Sequence, residues 1–436
     1  RPVRGLEPIL APAEQRAVAS RGAGARLARL LSDADGFTDR RTKRELVREW
    51  LELAAERDLL APPRVLVGLA EMATSEVALR PLVRAVGGER LAWLASHGPG
   101  RWAWVFPDEL QAGGEGGWQM GTLDVRTRHL HRIRAADPGA GRELLAETWA
   151  QERAADLAAL IRVCLTGLSD DDEAWLEKAL DDRRAQVREA AAELLAALPS
   201  SSWRLRMAER ALACVRADGP NRLQIVPPAE LDASLRRDGL TNRPPYGLGE
   251  RAWLLLQIVS SAPLECWSSL DAHPEDLLAR KANDDWRPTL LQGWARAALL
   301  QKDRCWALAL YRCGFEHAPP SLPQLVSLLA PQDAVEVAQD AVRGRPGRMN
   351  ELLAALPRPW SAEVAEIVLG YLSQPSQRQR GGWSTLTYLA ETGLSPDALP
   401  RVRALAEASD DDSHRAALEQ LASLLQIRHE IRQEFL

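Results

Sequence analysis

From Asp137 to Pro199 apolar residues recur every three or four positions, and the runs are broken where helices should start and stop. Asp137-Pro138 sets an N-cap beside a first-turn proline, and Leu144, Leu145, Thr148 and Trp149 then share one helical face. A second helix carries Leu157, Ala158, Ile161, Cys164 and Leu165, with Gly167 as its stop. Ser169 opens a third, with Asp170, Asp171 and Asp172 at its positive end and Trp175, Leu176, Ala179 and Leu180 facing inward. Asp181-Asp182 turns the chain into a fourth that holds Val187, Ala191, Leu194, Leu195 and Leu198 and ends at Pro199. The pattern predicts two successive helix pairs, 137–168 and 169–199. Each is roughly 30 residues long, the size of a helical repeat unit.

The same grammar returns on both sides. Helical spacing is predicted upstream over 46–60, 65–72 and 77–94, with Gly87-Gly88 bending the last of these. Downstream it is predicted over 285–300, from Asp303 through Trp306, Leu310 and Tyr311, and over 322–329, 332–342, 362–372 and 399–408. Ser409 and Asp410–Asp412 then repeat the acidic start before Leu418, Leu421, Leu424, Leu425 and Ile427. Three stretches interrupt the pattern: 98–118, rich in Gly and Trp; 218–249, with Pro227-Pro228 and Pro244-Pro245; and 344–347. The first two are expected to be long loops that carry binding contacts, since such connections are disproportionately functional. The expected organisation is a helical segment over 1–120, helix pairs over 121–217, the Pro/Gly loop 218–249 and further helical repeats over 250–436, in one continuous stack.

The fourth helix, DDRRAQVREAAAELLAAL, resembles the second helix of a HEAT repeat. Asp182, Val187, Arg188 and Leu194 fall where that family places an Asp, a Val-Arg pair and a Leu. The fold class this implies is all-α, a HEAT-like α-solenoid of stacked antiparallel helix pairs, with such Asp and Arg residues linking neighbouring units. Three longer blocks resemble a bacterial family of helical proteins of unknown function. They are Gly88-Glu89-Arg90 through Trp93-Leu94 to Trp102; GLSDDDEAWLEKALDDRRAQVREAAAELLAALPSSSWRLRM; and RRDGLTNRPPYGLGERAWLLLQIVSSAPLECW. Gly293-Trp294-Ala295-Arg296 and Asp303 to Trp306-Ala307 fit the same pattern. Genes of that family often stand beside genes for MoxR-type AAA ATPases, von Willebrand A-domain proteins and SWIM zinc-finger proteins. The resemblance therefore implies a role in a complex and transfers no catalytic residue.

Composition sharpens the helical reading. Of 436 residues 46% are apolar but only 5% aromatic, and Trp (15) outnumbers Tyr (4) and Phe (4), so no supply of sheet formers competes. The formal charge of −5 is opposite to what a duplex-coating surface needs. Lys43, Lys178, Lys281 and Lys302 are the four lysines, so nearly all of the 55 basic residues are arginine, the mark of a GC-rich coding sequence. Five scattered cysteines argue against a disulfide framework. No apolar run reaches the length of a membrane span, and the first thirty residues alternate charge and Ala instead of forming a leader. A cytoplasmic bacterial protein, trimmed before Arg1, is the expectation.

Each constellation that suggests chemistry has a plainer explanation. Cys305, Cys313 and His317 form no known zinc spacing, so no metal and no cofactor are expected. His129 and His131 lie in RTRHLHRIR, where helical geometry splits the arginines between faces; a solvated face with Leu123, Leu130 and Ile133 inward is expected. The acidic runs at 170–173 and 410–412 lack the alternation of a calcium loop and read as helix caps. Glycines 113–117 lack the Lys of a phosphate loop and are expected to let Trp102, Trp104 and Trp118 fold onto the array. Arg237-Asp238-Gly239 either presents charge to a partner or is a turn, and the turn is favoured. The candidate contacts are Trp102, Trp104, Arg237, Asp238, Tyr246 and Arg251. No catalytic grouping stands out. The expectation is a non-enzymatic scaffold for a protein partner, an AAA ATPase or von Willebrand A-domain protein by the resemblance, with nucleic-acid binding or an unrecognised site near 218–249 as alternatives.

Overall fold

The computed structural model describes residues 11–32, 40–106, 118–119, 121–271, 273–282, 286–314, 322–344, 346–374 and 383–436. It is all-α, with one small sheet. The N-terminal helices are α1 (Arg21–Leu31), α2 (Arg40–Glu56), α3 (Leu66–Ser75) and α4 (Arg80–His97). Next come α5 (Leu123–Ala136), α6 (Pro138–Thr148), α7 (Ala154–Val163), α8 (Glu173–Ala179), α9 (Ala185–Ala197) and α10 (Ser202–Cys214). A hairpin of β1 (Val215–Ala217) and β2 (Arg222–Ile225) precedes α11 (Ala233–Arg237), α12 (Glu250–Ser261), α13 (Pro274–Ala279) and β3 (Lys281–Ala282). Then follow α14 (Trp286–Gln301), α15 (Arg304–Arg312), α16 (Leu322–Val326), α17 (Ala334–Arg343) and α18 (Pro346–Ala355). The chain closes with α19 (Ala362–Leu372), α20 (Trp383–Gly393), α21 (Leu399–Glu407) and α22 (Asp412–Gln433).

Contacts divide these elements into two compact units: Arg1–Gln111 with Arg358–Leu436, and Ala112–Pro357. The first unit joins the two ends of the chain. Trp50 on α2 is fully buried, donates from Nε1 to the Ala23 carbonyl at 2.9 Å and meets Phe435 edge-on at 5.2 Å. Around it pack Leu27, Leu46, Leu51, Leu69, Val83 and Ile431. As expected, α4 is bent at its glycine pair: Gly88 has φ +60°, and Glu14 caps the second half by accepting from Arg90 N at 2.8 Å. A Cβ at Gly88 would fall 2.5 Å from that carboxylate, so both conformation and space call for glycine.

The second unit is assembled from elements close in sequence. α7 packs on α9, α9 on α10, α10 on α12, α12 on α14, and α14 on α15 and α16. α12 and α14 approach closely: a Cβ on Gly293 would stand 2.7 Å from Val259 Cγ1. The stretch 218–249 is not the expected open loop. β1 and β2 pair antiparallel, Val215 opposite Ile225, and β2 pairs parallel with β3, Arg222 opposite Lys281. Leu223 and Ile225 are buried on alternate positions, a period-2 signal too short to stand out in sequence. After Gly344, α18 begins at Pro346, where a first-turn proline costs no hydrogen bond, so the expected break at 344–347 is a helix start.

Candidate docking groove

In the second unit, α6 and α8 leave a groove of about 670 Å³ between them. Leu145 and Ala179 form its floor, and the half-buried rings of Trp149 and Trp175 form its walls, 6.2 Å apart at 84°. Both indoles are held by carboxylates. Trp149 Nε1 donates to Asp182 Oδ2 at 3.0 Å, and Trp175 Nε1 to Asp172 Oδ1 at 2.9 Å. With the N–H groups engaged, the rings are fixed in place and keep apolar surface available.

Beneath this groove lies a buried polar cluster. Arg134 and Asp172 are wholly inaccessible and pair bidentately, at 3.0 and 2.9 Å. Arg134 also donates to the carbonyls of Thr166, Pro138, Cys164 and Gly167. One guanidinium thereby ties α5 to the start of α6 and to the turn after α7. Asp172 accepts further from Arg142 Nη1 and from Ser169 N, completing the Ser169 capping box. Burial alone would raise the Asp172 pKa; the bonds from Arg134, Trp175, Ser169 and Arg142 outweigh it and bring it to about 2. Space for Arg134 is made by Gly141, where a Cβ would lie 2.4 Å from Arg134 Cδ.

Asp182 plays the same part on the other side. Hydrogen bonds from Arg184, then the backbone N–H of Arg184 and Trp149, overcome burial and hold its carboxyl at about 2. Arg184 Nη1 reaches back to the Glu152 carbonyl at 2.8 Å. Asp182 and Arg184 thus join one helix pair to the next, and Arg188 donates to the Asp182 and Arg236 carbonyls. On the rims, Lys178 and Glu143 are exposed and have no ion pair among the described residues.

The candidate contacts divide sharply by exposure. Trp102 and Trp104 are core residues at 5% and 8% exposure, the latter bonded to Thr74 Oγ1 and covered by Arg80. They sit in the turn Gly100–Val105, folded onto the helices as expected, and as buried residues are not offered to solvent as candidate contacts. Residues 107–117, including glycines 113–117, lie outside the described residues. Asp238 is 1% exposed and buried under Arg206 and Arg210, which hold its carboxyl below the ordinary range against the opposing effect of burial. Gly239, at φ +86°, completes the turn that was favoured from sequence. Arg237 pairs with Asp181 at 2.7 Å, on the groove rim. Tyr246 is fully exposed. Arg251 donates to the Pro227 carbonyl and lies over Trp286.

On α5, Leu123 is exposed and the buried side chains are His129, Leu130 and Arg134, so the inward face is more polar than expected. His129 loses basicity through burial and then Arg132, and its ring lies 6.3 Å from Trp118. Cys305 is exposed and Cys313 half-buried, while His317 lies outside the described residues. The groove walls and the Arg134–Asp172 pair were not singled out from sequence. The available signal was two tryptophans in successive helix pairs, each within reach of an Asp.

A chain of short amphipathic helices packed on one another, with an aromatic groove between two of them, is an all-α protein. It belongs to the family of unknown function DUF5691, whose model matches residues 1–435. Comparison with curated proteins and with solved structures gives no match. No helix among the described residues is long and apolar enough to cross a membrane.

Proposed function

We propose that the chain is a non-catalytic scaffold or adaptor, a HEAT-like solenoid that binds a protein partner along its helical-repeat surface, with the α6–α8 groove as the main contact. The supporting observation is the pair Trp149 and Trp175. Rigid, half-exposed aromatic walls over an apolar floor are what interface hot spots are made of, and their anchoring to Asp182 and Asp172 removes the entropy cost of ordering them on binding. The partner classes follow the family resemblance: a MoxR-type AAA ATPase or a von Willebrand A-domain protein in a bacterial cytoplasm. Purified representatives of both classes are titrated against the full chain by calorimetry. Trp149→Ala and Trp175→Ala each weaken binding by about tenfold or more. Absence of binding by both classes at roughly 100 μM, an affinity too weak for an adaptor, sinks this reading.

A second reading, nucleic-acid binding, draws on α12 and α14. Arg251 lies over Trp286 and Arg296 over Trp253, and neither arginine has a carboxylate partner among the described residues. Such pairs suit stacking on unpaired bases. A labelled single strand whose binding weakens steeply with salt supports this reading; no shift at low salt removes it.

A further inference from the structure

Several tryptophans of the chain have a ring face covered by one of its own arginines: Arg80 lies over Trp104, Arg126 over Trp118, Arg296 over Trp253 and Arg251 over Trp286. The two walls of the α6–α8 groove differ from these. Among the described residues no arginine or lysine is stacked on Trp149 or Trp175, although both rings are half-buried and line one groove.

The two rings make a corner. Their planes meet at 84° with centroids 6.2 Å apart. A group seated on the perpendiculars to both rings stands about 4.4 Å from each centroid, inside the roughly 6 Å over which a ring face attracts a cation. Each indole also gives its N–H to a carboxylate, Trp149 to Asp182 and Trp175 to Asp172, which polarises the ring and strengthens its negative face.

The hydrogen bonds decide which cation fits. Asp172 accepts twice from Arg134 and once each from Arg142, Trp175 and Ser169 N. Asp182 accepts from Arg184 N, Nε and Nη2 and from Trp149. A carboxylate has about four lone-pair sites, so neither has one left to offer. An ammonium that carries hydrogens would give up water in this corner without gaining an acceptor. A quaternary ammonium has no N–H to satisfy. Glu143 stands exposed on the rim, where an ion pair gains little over water. Glu143, Asp181 and Asp182 outnumber Arg142 and Lys178 in the lining, so one positive charge meets no excess of its own sign.

We propose that the corner between Trp149 and Trp175 holds a quaternary ammonium group, the trimethylated end of a lysine side chain on the partner protein. This rests on the α6–α8 groove being the contact surface for that partner. Leu145 and Ala179 on the floor meet the apolar stem. The groove, at about 670 Å³, is far larger than one trimethylammonium group and leaves room for the peptide that carries it.

The test titrates the full chain with short peptides identical except at one residue: trimethyllysine, lysine, or the uncharged tert-butyl analogue of trimethyllysine, which keeps the shape and loses the charge. Indole N–H signals of Trp149 and Trp175, identified from Trp149→Phe and Trp175→Phe, are followed by NMR. The trimethyllysine peptide is expected to shift both signals with a Kd below about 10 mM. Lysine and the neutral analogue are expected to bind at least about fivefold more weakly. Trp149→Ala and Trp175→Ala each lose the response at the remaining ring, whereas the Phe variants keep a weakened one, which separates loss of the site from loss of the fold. Equal binding of lysine or of the neutral analogue overturns the proposal, as do unshifted signals or binding that survives both Ala substitutions. Choline binding as tightly as the trimethyllysine peptide also overturns it, since the ligand is then a free small molecule. The adaptor reading fails separately. A protein partner that needs Trp149 and Trp175 but is not displaced by the trimethyllysine peptide keeps that reading and ends this one; selective peptide binding where neither partner class binds supports the site and removes those partners.

Discussion

The two units solve one problem, burying amphipathic helices, with partners at very different distances along the chain. In the second unit Arg134 finds Asp172 only 38 residues on, and Arg162 finds Glu193 31 residues on. In the first, Glu49 finds Arg428 379 residues away, and Arg26 finds Glu434 408 residues away. Closure entropy grows only with the logarithm of loop length, so a distant partner costs little more than a near one. The units also differ in where some of their charges stand. Around Arg134 every guanidinium nitrogen has an acceptor out of water, whereas Arg358 and Glu52 in the first unit are exposed. The contrast places rigidity under the groove.

The strongest way to break the comparison is Arg134→Ala. It strands the buried Asp172 carboxylate, and removal of one member of such a pair costs about 3–5 kcal/mol. Hydrogen exchange followed by mass spectrometry should show lost protection across α5–α8 with α2 and α22 still protected; equal loss in both would mean that the units do not unfold separately. Trp50→Ala is the mirror experiment. Removing this buried ring costs about 3–5 kcal/mol, with the loss of protection now in α1, α2 and α22.

Acid distinguishes the units by sign. Asp172 falls from an ordinary value near 3.8 to about 2 on folding, so its contribution is present above the unfolded pKa and disappears as pH falls through the folded one. That is worth about 2 kcal/mol between roughly pH 4 and pH 2. Glu52 has the opposite sign. Its pKa is raised, so the stability linked to it is present below the unfolded value and is lost as pH rises through the folded one. Acid denaturation of Asp172→Asn should lose the steep limb below pH 4, and Glu52→Gln should flatten the change above it. An unaltered acid limb in Asp172→Asn would contradict the assignment. The smallest effect belongs to Arg237→Ala. Its shortest pair, with Asp181, is largely exposed, and Asp238 keeps Arg206 and Arg210 without it, so about 1 kcal/mol is expected in a urea melt, and a larger loss would mean that its longer contacts with Glu177 and Asp238 carry weight in the fold.

The sequence by itself determined the elements. Asp137, Ser169, Asp303 and Ser361 cap helices because short side-chain oxygens satisfy free amides whatever the fold around them. Apolar periodicity likewise assigned the inward faces of α8 and α9, with Leu176 and Val187 in the core. Helices such as α1 and α20 went unpredicted, and so did the β1–β2 hairpin, where the local pattern is short or diluted by polar residues. Tertiary structure alone decided the rest. A periodic stripe says that a face will be covered and not by which helix, so nothing local in α2 names α22 as its cover. Likewise the charge of Arg134 reads as solvated in a basic run, until the turn after α7 and the carboxylate of Asp172 arrive from elsewhere to surround it. Burial of a charge depends on partners brought by the fold, and that is why the groove became visible only in three dimensions.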